Sequence, residues 1–251
     1  MIIAILKKSQ NGKKMIFILA LSASLSLHAN LNTYNQEAYN YLNPIALASG
    51  ADKSSNHHNY TEVYSQYFDP IKDLPFKFLE IGIFRGNSVK LWEDYFPNAE
   101  LHFIDISYDP VQYFSKRSHY HLVDQQNRTA LEKFVQETGG AFDIILDDGG
   151  HMMQQQIVSF LTLFPHVKKG GMYIIEDLHT SYWSSYGGGN HTATTISFLK
   201  KLIDDVNYVG ATTGRASHEN LDSTFVNELK MFQKDIFSIH FYDSIAIIKK
   251  R

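Results

Sequence analysis

Two apolar runs of the sequence each end in side chains that could carry out chemistry. The first run is followed by Asp148 and His151, and the second by Glu176 and Asp177. Apolar residues at helical spacing between the runs predict a strand–helix–strand unit. Because ligands bind at the carboxyl ends of the strands in open α/β sheets, these four side chains are predicted to converge. Such a group of carboxylates with an imidazole suits metal-assisted or acid–base chemistry.

An earlier strand ends in a glycine-containing turn. The apolar run 77–83 contains Glu80 and Gly82, and Gly86 follows it. Glycine at such a turn lets the backbone approach a ligand, and the N-terminus of the next helix offers free N–H groups. Asp105 ends the next strand, about 20 residues further on, where an acid can bind ribose hydroxyls. The alternative is an ordinary strand–helix turn with a capping acid.

The elements that must position these residues follow from hydrophobic periodicity. Strands are predicted at 77–83, 100–106, 118–123, 142–146 and 172–175, with a closing hairpin at 236–242 and 244–249. Helices are predicted at 60–68, 89–96, 129–138, 157–164, 195–206 and 221–232. Residues 168–171 are predicted as a turn and 207–220 as irregular. The pattern predicts an α/β fold: a Rossmann-like, doubly wound, mostly parallel seven-stranded sheet with a C-terminal antiparallel hairpin.

Composition limits the possible functions. The chain has 251 residues, a net charge of −3 and no cysteine. This length suits one α/β domain with a buried core, and the charge predicts no nucleic-acid partner. Without cysteine there can be no disulfide, thiolate metal site or cysteine nucleophile. An aromatic loop at 181–186, followed by three glycines at 187–189, is suited to covering a substrate.

The first 29 residues resemble a secretory signal. Four lysines precede the apolar run 15–27, and 27–29 resembles a cleavage site. The run is shorter than the roughly 20 residues that a transmembrane helix needs. A fortuitous apolar start is the alternative. We therefore divide the chain into a signal-like segment at 1–29, an N-terminal helical cap at 30–76 and a catalytic domain at 77–251.

From about residue 45 onward the chain resembles a class I S-adenosylmethionine-dependent methyltransferase. Residues 80–86, EIGIFRG, stand where that superfamily has E-x-G-x-G-x-G, with Phe84 in place of the middle glycine. The resemblance implies that Glu80, Gly82, Gly86 and Asp105 bind the cofactor. It also implies that Asp124, with Gln125 beside it, lies near the adenine, although Asp124 could instead cap a helix.

A narrower resemblance is to the metal-dependent sugar O-methyltransferases that act on macrolide antibiotics such as mycinamicin. It is carried by D-D-G-x-H at 147–151, G-G at 170–171, E-D-x-x-T-S-Y-W at 176–183, and the segments 51–53, 58–64 and 240–244. The large additional N-terminal domain of the macrolide enzymes is not expected here.

This resemblance implies the roles of the acidic unit. Asp148, Glu176 and Asp177 would bind Mg²⁺, and His151 would be the catalytic general base, with Asp147 as a turn residue. The predicted substrate contacts are Tyr60, Tyr182, Trp183 and Tyr186. The predicted cofactors are therefore S-adenosyl-L-methionine and Mg²⁺, and the predicted acceptor is a hydroxyl of a sugar-containing small molecule or glycan.

Two other functions remain open at this stage. A metal-dependent hydrolase could use the same carboxylates and histidine, and a non-catalytic module could bind a nucleoside. Homo-oligomerisation is possible. The signal-like segment favours export to the periplasm, whereas the cofactor is made in the cytoplasm, so we expect a cytoplasmic working site.

Overall fold

A seven-stranded sheet organises the computed structural model, which describes residues 36–189, 193–215 and 217–251. The strand order is β3-β2-β1-β4-β5-β7-β6. The strands are β1 (Lys77–Ile81), β2 (Glu100–Asp105), β3 (His119–Leu122), β4 (Phe142–Asp147), β5 (Val167–Ile175), β6 (Ile236–Tyr242) and β7 (Ile245–Lys250).

Strands β1 to β5 pair in parallel, and β7 is antiparallel to both of its neighbours. The central strands β1 and β4 are buried along nearly their whole length, which is why they read as continuous apolar runs. The predicted fold class, including the closing hairpin, is confirmed.

Helices cover both faces of the sheet. They are α1 (36–49), α2 (Thr61–Phe68), α3 (Asn87–Tyr95), α4 (Arg128–Thr138), α5 (Met153–Leu163), α6 (Thr195–Thr213), α7 (Ser223–Glu228) and α8 (Met231–Asp235). One hydrophobic cluster joins α1, α2 and α3 to the sheet, with Trp92 at its centre. A second cluster joins α4, α5 and α6 to the opposite face around Phe160. Burial on two faces is what the parallel arrangement requires.

Three local predictions were wrong. The predicted turn at 168–171 lies within β5, where the ladder is irregular and Gly170 takes a positive φ of 81°. Helix α6 continues to Thr213 because Val209 is buried against the core, and Gly214 then ends the helix with a φ of 68°. The predicted helix at 221–232 is two helices, since Leu229 and Lys230 between them are extended.

The N-terminal segment is only partly described. The signal-like residues 1–29 lie outside the described residues. Residues of the predicted cap, such as Leu42 and Tyr64, belong to the same cluster as Trp92 and therefore share the core of the sheet. The division into cap and catalytic domain stays a prediction. Within the described ranges, no helix is both long and apolar enough to cross a membrane.

Candidate active site

A cavity lies at the carboxyl ends of β1, β2 and β4. Its volume is about 530 Å³, and its walls include Gly82, Asp105, Asp124, Gln125 and His151. A smaller cavity of about 160 Å³ shares the walls formed by Gly82 and Asp148. Five predicted site residues, from four separate stretches of sequence, therefore line one cavity of a size usual for small-molecule sites.

Asp105 organises the turn after β1. Its Oδ2 accepts hydrogen bonds from the backbone N–H groups of Ile83, at 2.7 Å, and Phe84, at 3.2 Å. Its Oδ1 accepts one from the N–H of Ser107 at 3.2 Å. The carboxylate is thus held by backbone donors at the cavity wall, which fixes its orientation toward a ligand.

The two predicted cofactor-binding glycines have different surroundings. Gly82 has a φ of 99°, and a Cβ there would lie 2.1 Å from the carbonyl oxygen of Asp148. Only glycine therefore allows the ends of β1 and β4 to approach so closely. Gly86 precedes α3, and a Cβ there would lie 2.4 Å from the carbonyl oxygen of Tyr113. Gly86 therefore packs against the loop that contains Tyr113. Its contact with the cofactor stays a prediction.

Gln125 positions the turn that carries the acidic residues. Its Nε2 donates to Asp147 Oδ1 at 3.0 Å, and its Oε1 accepts from the N–H of Gly150 at 2.8 Å. Asp147 is fully buried and also accepts hydrogen bonds from Ser159 and Tyr173. Burial raises the pKa of the Asp147 carboxyl, although these hydrogen bonds oppose the rise. Asp147 is therefore an internal anchor at the end of β4, immediately before the turn in which it was predicted.

Three of the predicted chemical groups come together beside the cavity. One ligand atom each of Asp148, His151 and Asp177 lies within 4.8 Å of the others. His151 Nε2 is 3.3 Å from Asp177 Oδ2. Both His151, with a φ of 57°, and Asp177, with a φ of 54°, take the left-handed conformation that such residues seldom adopt. Backbone strain of this kind is concentrated at functional sites.

Asp177 is surrounded by polar rings. The Tyr60 hydroxyl donates to its Oδ1 at 2.7 Å, and His58 Nε2 and His179 Nδ1 lie 3.9 and 4.0 Å from the same oxygen. Tyr60 itself is buried, and burial together with Asp177 raises the pKa of its phenol. The structure thus gives Tyr60 a contact that orients Asp177, which differs from the predicted contact with substrate.

Glu176 has a different environment from the one predicted. Its side chain is buried, its Oε1 accepts a hydrogen bond from Tyr64, and its Oε2 lies 3.2 Å from Lys53 Nζ. It is not part of the cluster formed by Asp148, His151 and Asp177. Both Glu176 oxygens therefore already have partners inside the protein.

Lys53 is a site residue that sequence reasoning missed. Its fully buried ammonium forms a hydrogen bond with Asp148 and lies 3.6 Å from Asp52 and 3.7 Å from Glu80. Burial alone would lower the pKa of Lys53, but the surrounding carboxylates, Asp148 first, raise it above its ordinary value. The available signal was the segment 51–53, which belongs to the family pattern but contains no obvious ligand.

Glu80 lies beneath the cavity. Its Oε2 accepts a hydrogen bond from Ser88 at 2.9 Å, while its Oε1 is buried and has no hydrogen-bond partner among the described residues. Burial raises the pKa of the Glu80 carboxyl, and the neighbouring Lys53 ammonium opposes the rise. Glu80 can therefore influence a bound cofactor mainly by holding the turn after β1 in place. A direct contact between Glu80 and the cofactor stays a prediction.

The aromatic loop after β5 borders the site. Tyr186 lines the cavity, and its ring centre lies 6.4 Å from that of His151. Tyr182 is 65% and Trp183 49% exposed, so both rings present open faces. The Trp183 ring packs edge-on against His179 at 4.6 Å, which ties this loop to the surroundings of Asp177.

Known methyltransferases are similar to this chain in sequence. Residues 79–178 match the model of a methyltransferase domain. A rhamnosyl tetracenomycin-C 2'-O-methyltransferase from Streptomyces olivaceus is 31% identical over 82% of this chain and 54% of its own length. Mycinamicin VI 2''-O-methyltransferase from Micromonospora griseorubida is 29% identical over 77% of this chain and 48% of its own length.

A solved structure is similar over the same region. The MycE methyltransferase from the mycinamycin biosynthetic pathway, in complex with Mg and SAH, aligns with a TM-score of 0.72 at 28% identity. The alignment covers 83% of this chain and 54% of that chain. The chain spans about half the length of the curated relatives it matches. The chain therefore has the fold of a class I methyltransferase, contains a segment that matches a methyltransferase domain, and is similar to sugar O-methyltransferases of macrolide and polyketide glycosides.

Proposed function

We propose that the protein transfers a methyl group from S-adenosylmethionine to a sugar hydroxyl, with Mg²⁺ bound at Asp148 and Asp177. The observation that supports this most directly is the position of Asp148, His151 and Asp177 beside the cavity that Asp105 and Asp124 line. A donor site and an acceptor-activating site would then adjoin each other at one edge of the sheet.

The residues present fit a nucleoside-containing cofactor. Asp105 is fixed by three backbone N–H groups at the cavity wall, where its carboxylate can accept hydrogen bonds from ribose hydroxyls. Asp124 lies in the same wall. The cofactor of the MycE methyltransferase appears in its complex as SAH, which is consistent with this assignment.

The residues also fit a hard divalent cation. Carboxylate oxygens of Asp148 and Asp177 lie close enough to share one ion, and Mg²⁺ prefers oxygen ligands while keeping positions open for water or substrate. Glu176 could complete the set once its oxygen is released from Lys53. When bound, Mg²⁺ would orient two neighbouring hydroxyls and make them more acidic, and S-adenosylmethionine would supply an electrophilic methyl group.

The protein's own contribution to the reaction centres on His151. Its Nε2 lies 3.3 Å from Asp177 Oδ2 and is therefore placed to accept the proton of a hydroxyl held beside that carboxylate. S-adenosylmethionine, when bound, would supply the methyl group to the oxygen that loses this proton and would leave as S-adenosylhomocysteine. Asp177 stabilises the imidazolium that results, and Tyr60 holds Asp177 in place.

The acceptor is proposed from the relatives and from the aromatic loop. Relatives are named for O-methylation of rhamnosyl, olivosyl and other glycosides. Tyr182 and Trp183 offer exposed rings that could pack against a sugar face. We infer a sugar hydroxyl in a small glycoside, a lipid-linked glycan or a surface polysaccharide.

A screen with a labelled methyl donor tests this function. Nucleotide sugars, glycosides and glycan extracts would be offered with Mg²⁺ and then with chelator. We expect label in a sugar only with metal present. Transfer to catechols or proteins alone would contradict the acceptor, and metal-dependent hydrolysis without nucleoside binding would favour the hydrolase.

The working compartment is also a proposal. Because the donor is made in the cytoplasm, we propose that the enzyme acts there despite its signal-like residues 1–29. Cell fractionation with N-terminal sequencing checks this. A mature chain that begins at Asn30 in the periplasm would contradict it.

A further inference from the structure

Lys53 is a buried cation to which the proposed reaction gives no role. It lies in the loop between α1 and α2, and its side chain reaches across to Asp148, 95 positions away in sequence. The side chain is fully buried. Removing an ammonium from water is unfavourable unless carboxylates surround it, so its partners must explain why it is there.

The partners of Lys53 include two of the predicted metal ligands. Its Nζ forms a hydrogen bond with Asp148 Oδ2 and lies 3.2 Å from Glu176 Oε2. A metal ion bound by the same two carboxylates would meet the same negative charge. The ammonium and the metal would therefore compete for Asp148 and Glu176, because both are attracted to that charge.

A second acceptor for the ammonium is present on its other side. Glu80 Oε1 lies 3.7 Å from Lys53 Nζ and has no hydrogen-bond partner in the described structure, although it is buried. The other oxygen of Glu80 is already held by Ser88. A buried acceptor without a donor is unfavourable, so a small movement of Lys53 toward Glu80 would satisfy it.

We propose that Lys53 is a resident cation of the metal site, which neutralises Asp148 and Glu176 without metal and moves to Glu80 when metal binds. This inference rests on the proposed function, since it assumes that Asp148 binds Mg²⁺. It makes Lys53 a positioning residue that keeps the carboxylates together in the metal-free protein. It also links the metal site to Glu80 below the cofactor cavity.

Competition between the Lys53 ammonium and the metal predicts the direction in which Mg²⁺ affinity changes. If the ammonium occupies the site for part of the time, the apparent metal affinity is the intrinsic affinity multiplied by the fraction of time that the site is free. Replacing Lys53 with methionine, which has similar length and no charge, should tighten Mg²⁺ binding. The same change should destabilise the metal-free protein, because the carboxylates around Asp148 would repel one another without compensation.

Calorimetric titration of the full chain with Mg²⁺, without methyl donor, tests the inference. For Lys53→Met we expect binding at least about tenfold tighter than in the wild type. We also expect a lower melting temperature without metal and a larger rise on adding Mg²⁺. Lys168→Met is the control, since Lys168 pairs with Asp143 at a partly exposed site and should leave Mg²⁺ affinity unchanged.

Glu80→Gln gives a second test with the opposite sign. The neutral amide keeps a partner for Ser88 but holds the ammonium less well, so Lys53 should stay on Asp148 and Mg²⁺ should bind more weakly. Unchanged or tighter binding in Glu80→Gln overturns the inference, even if Lys53→Met fails to fold. Equal or weaker affinity in Lys53→Met overturns it as well. Failure of the wild type to bind Mg²⁺ would instead overturn the proposed function.

Discussion

The two ends of the sheet each bring a carboxylate and histidine ligand atoms together, but they do so in different settings. At the carboxyl end the group is Asp148, His151 and Asp177, and at the amino end it is Glu100, His102 and His119. In each group the ligand atoms lie within 4.8 Å of one another. Proximity alone therefore does not distinguish the candidate active site.

Hydrogen bonding separates the two ends. At the amino end, His102 Nε2 is 2.7 Å from Glu100 Oε1, and its Nδ1 is 3.1 Å from His121 Nε2. Both ring nitrogens of His102 are thus committed inside regular strands. At the carboxyl end, His151 Nδ1 and Glu80 Oε1 are buried without hydrogen-bond partners among the residues described. Unsatisfied groups of this kind need a reason, and a ligand site supplies one.

The two ends of the sheet also differ in backbone conformation and in the cavity beside the ligand atoms. His151 and Asp177 lie in strained turns after β4 and β5, and His151 lines the cavity of about 530 Å³. The groove beside the amino end contains Glu100 but neither His102 nor His119, and Lys77 and Lys168 contribute to its walls. A chemical site therefore requires an adjoining cavity and ligand atoms without hydrogen-bond partners, in addition to suitable side chains.

The largest difference should appear when the acid of each group is neutralised. Asp148→Asn should abolish detectable methyl transfer and Mg²⁺ binding, because it removes a charged oxygen ligand. Glu100→Gln should leave both unchanged. Turnover with a labelled methyl donor and calorimetric Mg²⁺ titration would measure this. Equal losses in the two variants would show that both ends serve the reaction.

The histidines provide the second test. His151→Gln should lower kcat by about 10²–10⁴-fold, the usual contribution of a general base. His119→Gln should have no effect on kcat. SAH binding should persist in both variants, since neither residue is assigned to the cofactor. A His151→Gln enzyme with wild-type kcat would remove this residue from the mechanism.

The third test compares two carboxylates that accept backbone hydrogen bonds. Asp105→Ala should weaken SAH binding by about 1–3 kcal/mol, from lost charge-assisted hydrogen bonds. Asp143 accepts from the N–H of Lys77 at 2.7 Å at the amino end, and Asp143→Ala should leave SAH affinity unchanged. Calorimetry with SAH measures both. Undiminished affinity in Asp105→Ala would contradict the cofactor site.

The smallest effect concerns pH. Burial lowers the pKa of His102 in the folded protein, although Glu100 opposes this. The unfolded chain therefore takes up the proton first, and stability present above the unfolded pKa of about 6.5 is lost as the pH falls toward the folded value. Denaturant unfolding at several pH values should show this loss, and His102→Gln should reduce it. An identical pH dependence in His102→Gln would contradict the assignment.

Much of the fold follows from local sequence. The central strands are continuous apolar runs because both of their faces are buried. Such runs can be recognised in the amino-acid sequence alone. The errors occurred where tertiary contacts overrode local signals. The glycine pair near Gly170 suggested a turn but lies within β5, and α6 extends because Val209 finds a buried position.

The candidate site divides in the same way. The local sequence predicted that Asp148, His151, Glu176 and Asp177 would converge, because each ends or follows a parallel strand and such ends share one edge, and three of the four form a cluster. Only the tertiary structure decided that Tyr60 holds Asp177 and that Glu176 turns toward Lys53. The physical reason is that Lys53 and Tyr60 come from loops far away in sequence. Packing against the folded sheet places their side chains, and no local periodicity in the sequence indicates those positions.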